Sequence, residues 1–341
     1  MDSFDRNLLN ILQRSFPLTP EPYAAVASVL HSRESDVISR IAGLKEEGII
    51  RQISAIFDPP AVGYQTCLVA MAVDKDQVEQ AAQVINRERG VSHNYLRENE
   101  FNMWFTIAVP PGADLQSEVG RLGVAAAARK TLTLPAVKLY KIAVVMDMEG
   151  ENSEEEGRKI SEMDGAARTF TPFLPESEDI HIIRCIQEDL PLIKQPFLAW
   201  AGSLSLEEDY LIDWIKSRLE KGIIRRFAAL LRHRKAGFLA NAMVAWECPL
   251  EIIDRQGQFL AAQPEVTHCY SRVPAPGWPY NLYAMVHARD RASCDQMIER
   301  LITTSGLNRF KVLYSVREIK KERLKLFWDE PLNRSCKDDG K

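Results

Sequence analysis

Residues 90–110 read GVSHNYLRENEFNMWFTIAVP. Two strand patterns, VSHNYLRE and NMWFTIAV, meet at a polar turn. Successive side chains of a strand point to opposite faces, so His93, Tyr95 and Arg97 share one face, with Asn94 and Leu96 on the other. A core-facing strand would carry Val or Ile at the first three positions. Residues 265–288, EVTHCYSRVPAPGWPYNLYAMVHA, repeat the arrangement with His268, Tyr270 and Arg272 on one face and Cys269 and Ser271 on the other. One polar strand face could simply meet solvent. Two copies at the same place in a repeat point to a shared function for that face.

The duplication extends along the chain. LKEEGIIRQISAIFDPPAVGYQTCLVAMAV (44–73) parallels LEKGIIRRFAALLRHRKAGFLANAMVAW (219–246). Gly48-Ile49-Ile50-Arg51 matches Gly222-Ile223-Ile224-Arg225, and Gly63-Tyr64 matches Gly237-Phe238 at the same offset. Asn102 matches Asn281, Trp104 matches Tyr283, and Leu139-Tyr140 is read against Leu313-Tyr314. The acidic stretch 149–178 reads as a linker between the copies.

Each copy opens with three short helical patterns. Phe4, Leu8, Ile11 and Leu12 fall on one face of the first, Pro22 suits the first turn of the second, and Val37, Ile41 and Leu44 line the third, which stops at Gly48. In the second copy Ser205 and Glu208 have capping-box spacing. Three helices with a turn before the third is the helix-turn-helix layout. The strand–helix–strand–strand–helix–strand order that follows is ferredoxin-like. The expected fold is α+β, two tandem pseudo-two-fold-related units. Helix-turn-helix segments span 1–55 and 179–228, ferredoxin-like domains span 56–148 and 229–330, and a tail spans 331–341.

Hydrophobic residues are 46% of the 341 and charged residues 26%, values that place the chain among soluble globular proteins. No apolar run approaches the roughly 20 residues of a membrane span, and MDSFDRNLLN lacks a signal-peptide core, so a cytoplasmic location is expected. The six cysteines form no CxxC pair and read as buried thiols in a reducing compartment. Electrostatics then argue against nucleic acid. Residues 1–56 hold 6 basic and 7 acidic side chains, and residues 179–226 hold 7 and 8, without the basic excess a groove reader needs. The third helix of the second copy opens with Glu207, Glu208 and Asp209, which would face phosphates if its N-terminus entered a groove. These helices are expected to pack against the partner half.

Paired sheets would turn both polar faces into one site. Its guanidiniums suit carboxylates and its imidazoles suit proton transfer near neutral pH. Arg51, Arg225 and Arg226 begin the preceding strands, and RHRKAG (232–237) adds His233 among cations. The implied ligand is large and carries several carboxylates. GWPY (277–280) reads as a rigid loop able to cap such a site, with Trp104 as an aromatic wall.

The helix-turn-helix plus ferredoxin-like order resembles the Lrp/AsnC transcription regulators. A longer and more specific resemblance is to the siroheme decarboxylases. GIIRQISAIFD, GVSHNYLRENEFNMWFTIAVP and LPAVKLYKI resemble their A-type subunit. GIIRRFAALLRHRKAGFLANAMVAW, VTHCYSR and PGWPYNLYAMVHA resemble the B-type subunit. The resemblance implies two subunits fused in one chain. It implies siroheme as substrate, loss of two acetate carboxyl groups, and 12,18-didecarboxysiroheme as product, feeding either the alternative heme pathway or the heme of dissimilatory nitrite reductase. No cofactor is implied beyond the iron that the substrate carries. The chemistry needs a proton at each new methyl carbon, and His93 and His268 are expected to donate it, though one of them could instead ligate that iron. Tyr95 and Tyr270 are expected to orient the substrate, and Arg51, Arg97, Arg225 and Arg272 to anchor its carboxylates. Arg226, His233 and Trp104 complete the expected binding set. A regulator sensing heme or an amino acid, and a heme carrier without catalysis, are the alternatives. Further association into homo-oligomers is expected from free sheet edges.

Overall fold

The structure, a computed structural model, describes residues 2–142, 173–231 and 240–328. The linker expected at 149–178 lies outside the described residues up to 172, and the tail 331–341 lies wholly outside them.

The first helical triplet is α1 (Ser3–Arg14), α2 (Pro22–Val29) and α3 (Glu34–Glu46). Asp2 caps α1 in a capping box with Asp5, and Gly48 at φ 68° lets the chain leave α3 in the left-handed region. Leu9 joins Leu8 and Leu12 on the fully buried stripe of α1, while Phe4 and Ile11 are only partly buried. The second triplet is α6 (Ser177–Ile186), α7 (Pro196–Leu204) and α8 (Glu208–Glu220). The capping box expected at Ser205 does not form. Ser205 ends α7 at φ 57°, and Glu207 stands at the N-cap of α8 without a side-chain cap bond. The chain must reverse between α7 and α8, and Ser205 takes the left-handed turn.

Both triplets share one hydrophobic core, with Leu8, Leu12 and Ile41 of the first and Ile182, Ile186 and Ile215 of the second in a single cluster. Tyr23 donates to the carbonyl of Pro191 (3.1 Å), and Lys45 pairs with Asp189 (2.8 Å). These helices pack against the partner half, as their balanced charge implied. β1 (Ile50–Phe57) and β6 (Ile224–Leu231) form an antiparallel two-stranded ribbon crossing between the halves. The breaks expected at 55/56 and 228/229 fall inside these strands, because each strand finds its hydrogen-bond partner in the other half.

The remaining eight strands close into a barrel. The first half supplies β2 (Gln65–Ala72), β3 (Val91–Arg97), β4 (Met103–Val109) and β5 (Lys130–Ile142), with α4 (Val78–Arg87) and α5 (Leu115–Ala125). The second supplies β7 (Ala240–Trp246), β8 (Val266–Arg272), β9 (Leu282–Ala288) and β10 (Phe310–Lys321), with α9 (Ile253–Ala261) and α10 (Arg291–Ser305). The order around the barrel is β10-β3-β4-β2-β5-β8-β9-β7, so each half keeps its ferredoxin-like order and the halves join edge to edge at β5·β8 and β10·β3. Closure consumes the barrel's sheet edges and removes them as a basis for further association. Each helix pair covers the outside of its own sheet, and a third cluster, including Leu68, Leu134, Met243 and Leu313, fills part of the interior.

The pairing register confirms most of the repeat and corrects one part. Asn102 bridges Val73 N and O (3.0 and 2.8 Å), and Asn281 bridges Cys248 N and O (2.8 and 2.8 Å), the same backbone clamp twice. Leu134 and Leu313 hold equivalent positions, opposite Leu68 and Met243, whereas Leu139 corresponds to Glu318, since these two pair with Tyr270 and Tyr95. The Leu-Tyr match between 139–140 and 313–314 is therefore coincidental. Register shifts in both β5 and β10 belong to the same seams. Among the described residues no helix is long and apolar enough to cross a membrane.

Candidate active site

Every neighbouring pair in the barrel is antiparallel, so β3 and β8 run the same way. Arg97 and Arg272 therefore lie toward one end of the barrel, and His93 and His268 toward the other. Tyr95 is opposite Trp104 and Tyr270 is opposite Tyr283, both members of the interior cluster, which fixes the polar faces inward. The opposite faces meet the covering helices: Asn94 donates to Asn86 of α4 (3.1 Å), and the Cys269 thiol to the carbonyl of Gly257 of α9 (3.6 Å).

At the arginine end, Arg97 donates to the carbonyl of Leu313 (2.8 Å) and stacks over Tyr95 (5.2 Å to the ring centre). Arg272 donates to the carbonyl of Leu134 (2.9 Å) and stacks over Tyr270 (4.9 Å). No described carboxylate pairs with either guanidinium, and both Nε atoms are buried without a hydrogen-bond partner. Burial pulls Arg97, 5% exposed, down to about 10, and pulls Arg272 down as well. Such cations are costly unless a ligand supplies the counter-charge. The end is closed by the GWPY loop, whose Gly277 turns at φ 75° and whose Trp278, 4% exposed, folds against Trp104 (5.6 Å) and Phe101 (5.5 Å). Trp104 is 1% exposed and donates Nε1 to the carbonyl of Phe101 (2.6 Å), so it packs this plug instead of presenting an open wall.

The histidine end is where the two halves part company. His93 shares its Nδ1 with the Ser92 hydroxyl (2.9 Å) and lies nearly parallel to Tyr95 (6.4 Å, 18°). Lys321 is its register partner across the β10 seam. Burial, reinforced by Lys321 and Arg51, pushes the His93 imidazole down to about 4. Arg323, just past β10, donates to Ser54 Oγ (2.5 Å) and the carbonyl of Gln187 (2.9 Å), and burial with Arg51 nearby pulls it to about 10. On the other side His268 shares its Nδ1 with the Thr267 hydroxyl (3.0 Å). That hydroxyl also reaches His287 Nδ1 (3.0 Å) and, more weakly, the carbonyl of Met285 (3.4 Å). Arg225 is paired with Asp58 (2.6 Å). Burial raises the Tyr270 phenol, an effect opposed by Arg272 and Arg225 and reinforced by Asp58.

The structure thus brings His93, Tyr95, Arg97, His268, Tyr270 and Arg272 into one barrel interior. Arg51 and Arg225 reach its histidine end from the ribbon, with Arg51 itself exposed. Arg226 lies opposite Ile56 in the ribbon. His233 lies outside the described residues. Sequence reasoning missed Ser92, Thr267, His287, Asp58 and Lys321. A hydroxyl residue precedes the histidine in both copies, a signal present in the sequence, whereas Lys321 meets His93 only through the seam with the other half.

A family profile described as siroheme decarboxylase NirDL-like HTH domain matches residues 5–51 and 179–225, and one described as AsnC-like ligand binding domain matches 61–141 and 235–320. The chain is 35% identical over 330 residues to the siroheme decarboxylase of Hydrogenobacter thermophilus, covering 96% of each. It is 39% identical over 152 residues to the siroheme decarboxylase alpha subunit of Desulfovibrio desulfuricans, 45% of this chain and 87% of that one. A crystal structure of the siroheme decarboxylase NirDL with an iron-uroporphyrin III analogue superposes with a TM-score of 0.78 at 31% identity, covering 95% of this chain and 94% of that one. Two copies of each matched domain, in the order the repeat demands, and matched relatives along nearly the whole length lead to one conclusion: this chain belongs to the siroheme decarboxylase family.

Proposed function

We propose that the protein is a carboxy-lyase that removes the carboxyl groups of two acetate side chains of siroheme, on rings C and D, giving didecarboxysiroheme for tetrapyrrole biosynthesis in the cytoplasm. The observation that carries this reading is the pair of buried guanidiniums, Arg97 and Arg272, without a described carboxylate partner, in a barrel that also holds two inward imidazoles. A polycarboxylate ligand supplies the missing counter-charge. Arg51 and Arg225 add cations at the opposite end, Arg226 and His233 complete the binding set, and Tyr95 and Tyr270 orient the substrate. Cleavage of the bond to the carboxyl carbon releases carbon dioxide and leaves an electron pair that the macrocycle delocalises. A proton delivered to the methylene carbon completes the methyl group. The reaction balances without an oxidant or reductant, and the substrate carries its own iron.

The shared core of the helical triplets and the acidic first turn of α8 (Glu208, Asp209) speak for this reading over a DNA-binding regulator. Anaerobic incubation of the purified protein with siroheme tests it. The expected result is a tetrapyrrole lighter by the mass of two carbon dioxides. Substrate of unchanged mass, bound or free, overturns it in favour of a carrier.

A further inference from the structure

We infer that Trp278 is an aromatic floor, supplied by the second half alone, that keeps water from Arg97 and Arg272, so that carboxylates bound there meet unscreened charge. This deepens the decarboxylase reading and rests on it.

The hairpins β3–β4 and β8–β9 are equivalent up to their tips. Arg97 N donates to the carbonyl of Asn102 (2.8 Å), and Arg272 N to that of Asn281 (2.8 Å). Between these residues the first copy has only 98–101, whereas the second has 273–280, and Trp278 sits in this longer tip. The tip is tied down. Trp278 N donates to the carbonyl of Ala275 (2.8 Å) and Ala275 N to that of Trp278 (3.1 Å). Pro274, Pro276 and Pro279 restrict the rest of the backbone.

From that anchored tip the indole reaches across to the other half. It lies 5.5 Å from Phe101 and 5.6 Å from Trp104. On its own side it lies 4.8 Å from Tyr280 and donates Nε1 to the Tyr283 hydroxyl (2.9 Å), which donates onward to the carbonyl of Tyr280 (2.9 Å). Rings connect it to both guanidiniums. Arg272 stands over Tyr283 (5.8 Å), and Arg97 stands over Tyr95, the register partner of Trp104.

Solvent contact follows the same layout. Phe101, Trp104, Trp278, Tyr283 and Arg97 are buried, and neither arginine Nε meets solvent. His93, Tyr95, His268 and Tyr270, on the same inward strand faces, are half-buried. A cation and a carboxylate attract about four times more strongly in such partly dehydrated surroundings than in bulk water. Buried pairs are also screened far less by salt.

The test follows binding of iron uroporphyrin III by absorbance at about 50 mM and about 500 mM sodium chloride, beside anaerobic turnover of siroheme. Trp278→Ala is expected to weaken binding about threefold at the lower salt and about thirtyfold at the higher, because hydrated pairs are screened. Its kcat should stay within about threefold of wild type while KM rises, since the imidazoles lie at the other end. Trp278→Phe, which keeps a ring on the floor, should bind within about threefold of wild type at both salt concentrations. Should Trp278→Ala misfold, replacing 273–280 by the ENEF tip of 98–101 still decides, because that tip already closes on the same asparagine clamp. A loss of equal size at both salt concentrations marks a merely structural tryptophan and overturns the floor, as does unchanged binding. Wild-type protein that binds iron uroporphyrin III but leaves siroheme unchanged removes the decarboxylase reading, while the salt comparison still judges the floor. Wild-type protein that does not bind it overturns both.

Discussion

His93 and His268 occupy the same position of one repeat, each with a hydroxyl neighbour at Nδ1 and a tyrosine two residues on. What differs comes from elsewhere in the chain. His93 faces Lys321, contributed by the last strand of the other half, with Arg51 nearby. His268 has His287 behind it through Thr267, and an arginine already paired with an acid. A strand sets which way its side chains point, but the strand across the seam sets their charge environment. Duplication with edge-to-edge joining therefore lets two copies of one motif diverge without disturbing the motif.

The largest effect expected from breaking this contrast is on turnover. His268→Ala should lower kcat about a thousandfold and His93→Ala only about tenfold, read by single-turnover formation of the lighter product. Equal losses would erase the difference between the halves.

Next come the arginines, where the halves should behave alike. Arg97→Leu and Arg272→Leu should each weaken iron uroporphyrin III binding by up to about a hundredfold, because each removes a desolvated cation facing the ligand's carboxylates. The same substitutions should leave the ligand-free protein as stable as before or more so, because a buried charge without a described carboxylate partner is replaced by an apolar group. Binding titrations and chemical denaturation separate the two outcomes.

The third effect is on pH dependence and concerns His93. Its folded-state value of about 4 lies below the ordinary 6.5, so the unfolded chain binds the proton more readily. Stability from this group is present in full above 6.5 and is lost as pH falls toward 4. Between pH 7 and pH 5 the loss should be about 2 kcal/mol. His93→Asn should flatten that part of the urea-denaturation profile, whereas neutralising only Lys321 and Arg51 should leave the larger part, which comes from burial.

The smallest effect lies in the helical triplets. His31 at φ 50° and Ser205 at φ 57° take left-handed backbone between the second and third helices of each copy. Glycine at either position should raise stability by less than about 1 kcal/mol, and by similar amounts in the two halves, as measured by thermal unfolding.

Much of the site was legible because it is local. The alternation of His93, Tyr95 and Arg97 needs only the two-residue period of a strand, and the backbone clamps of Asn102 and Asn281 recur at matching turns. Legibility failed where a position depends on a distant partner. Leu139-Tyr140 resembled Leu313-Tyr314 in letters, but hydrogen-bond register aligned Leu134 with Leu313 instead. Ser205 had the spacing of a cap, and the reversal between α7 and α8 required it to turn instead. Lys321 meets His93 only through the barrel's closure, and Trp104, expected as an aromatic wall, folds with Trp278 of the capping loop into a plug.

The sequence by itself determined the duplication, the helix and strand periods within each copy and the inward chemistry of two polar strand faces, because these follow from spacings of a few residues. The tertiary structure alone decided that β5 meets β8 and β10 meets β3, that the ribbon crosses between the halves, and hence which cations and which hydrogen-bond partners each histidine receives. Backbone hydrogen bonds between strands carry no residue code, and partners such as His93 and Lys321, far apart in the chain, are selected by packing of whole sheets.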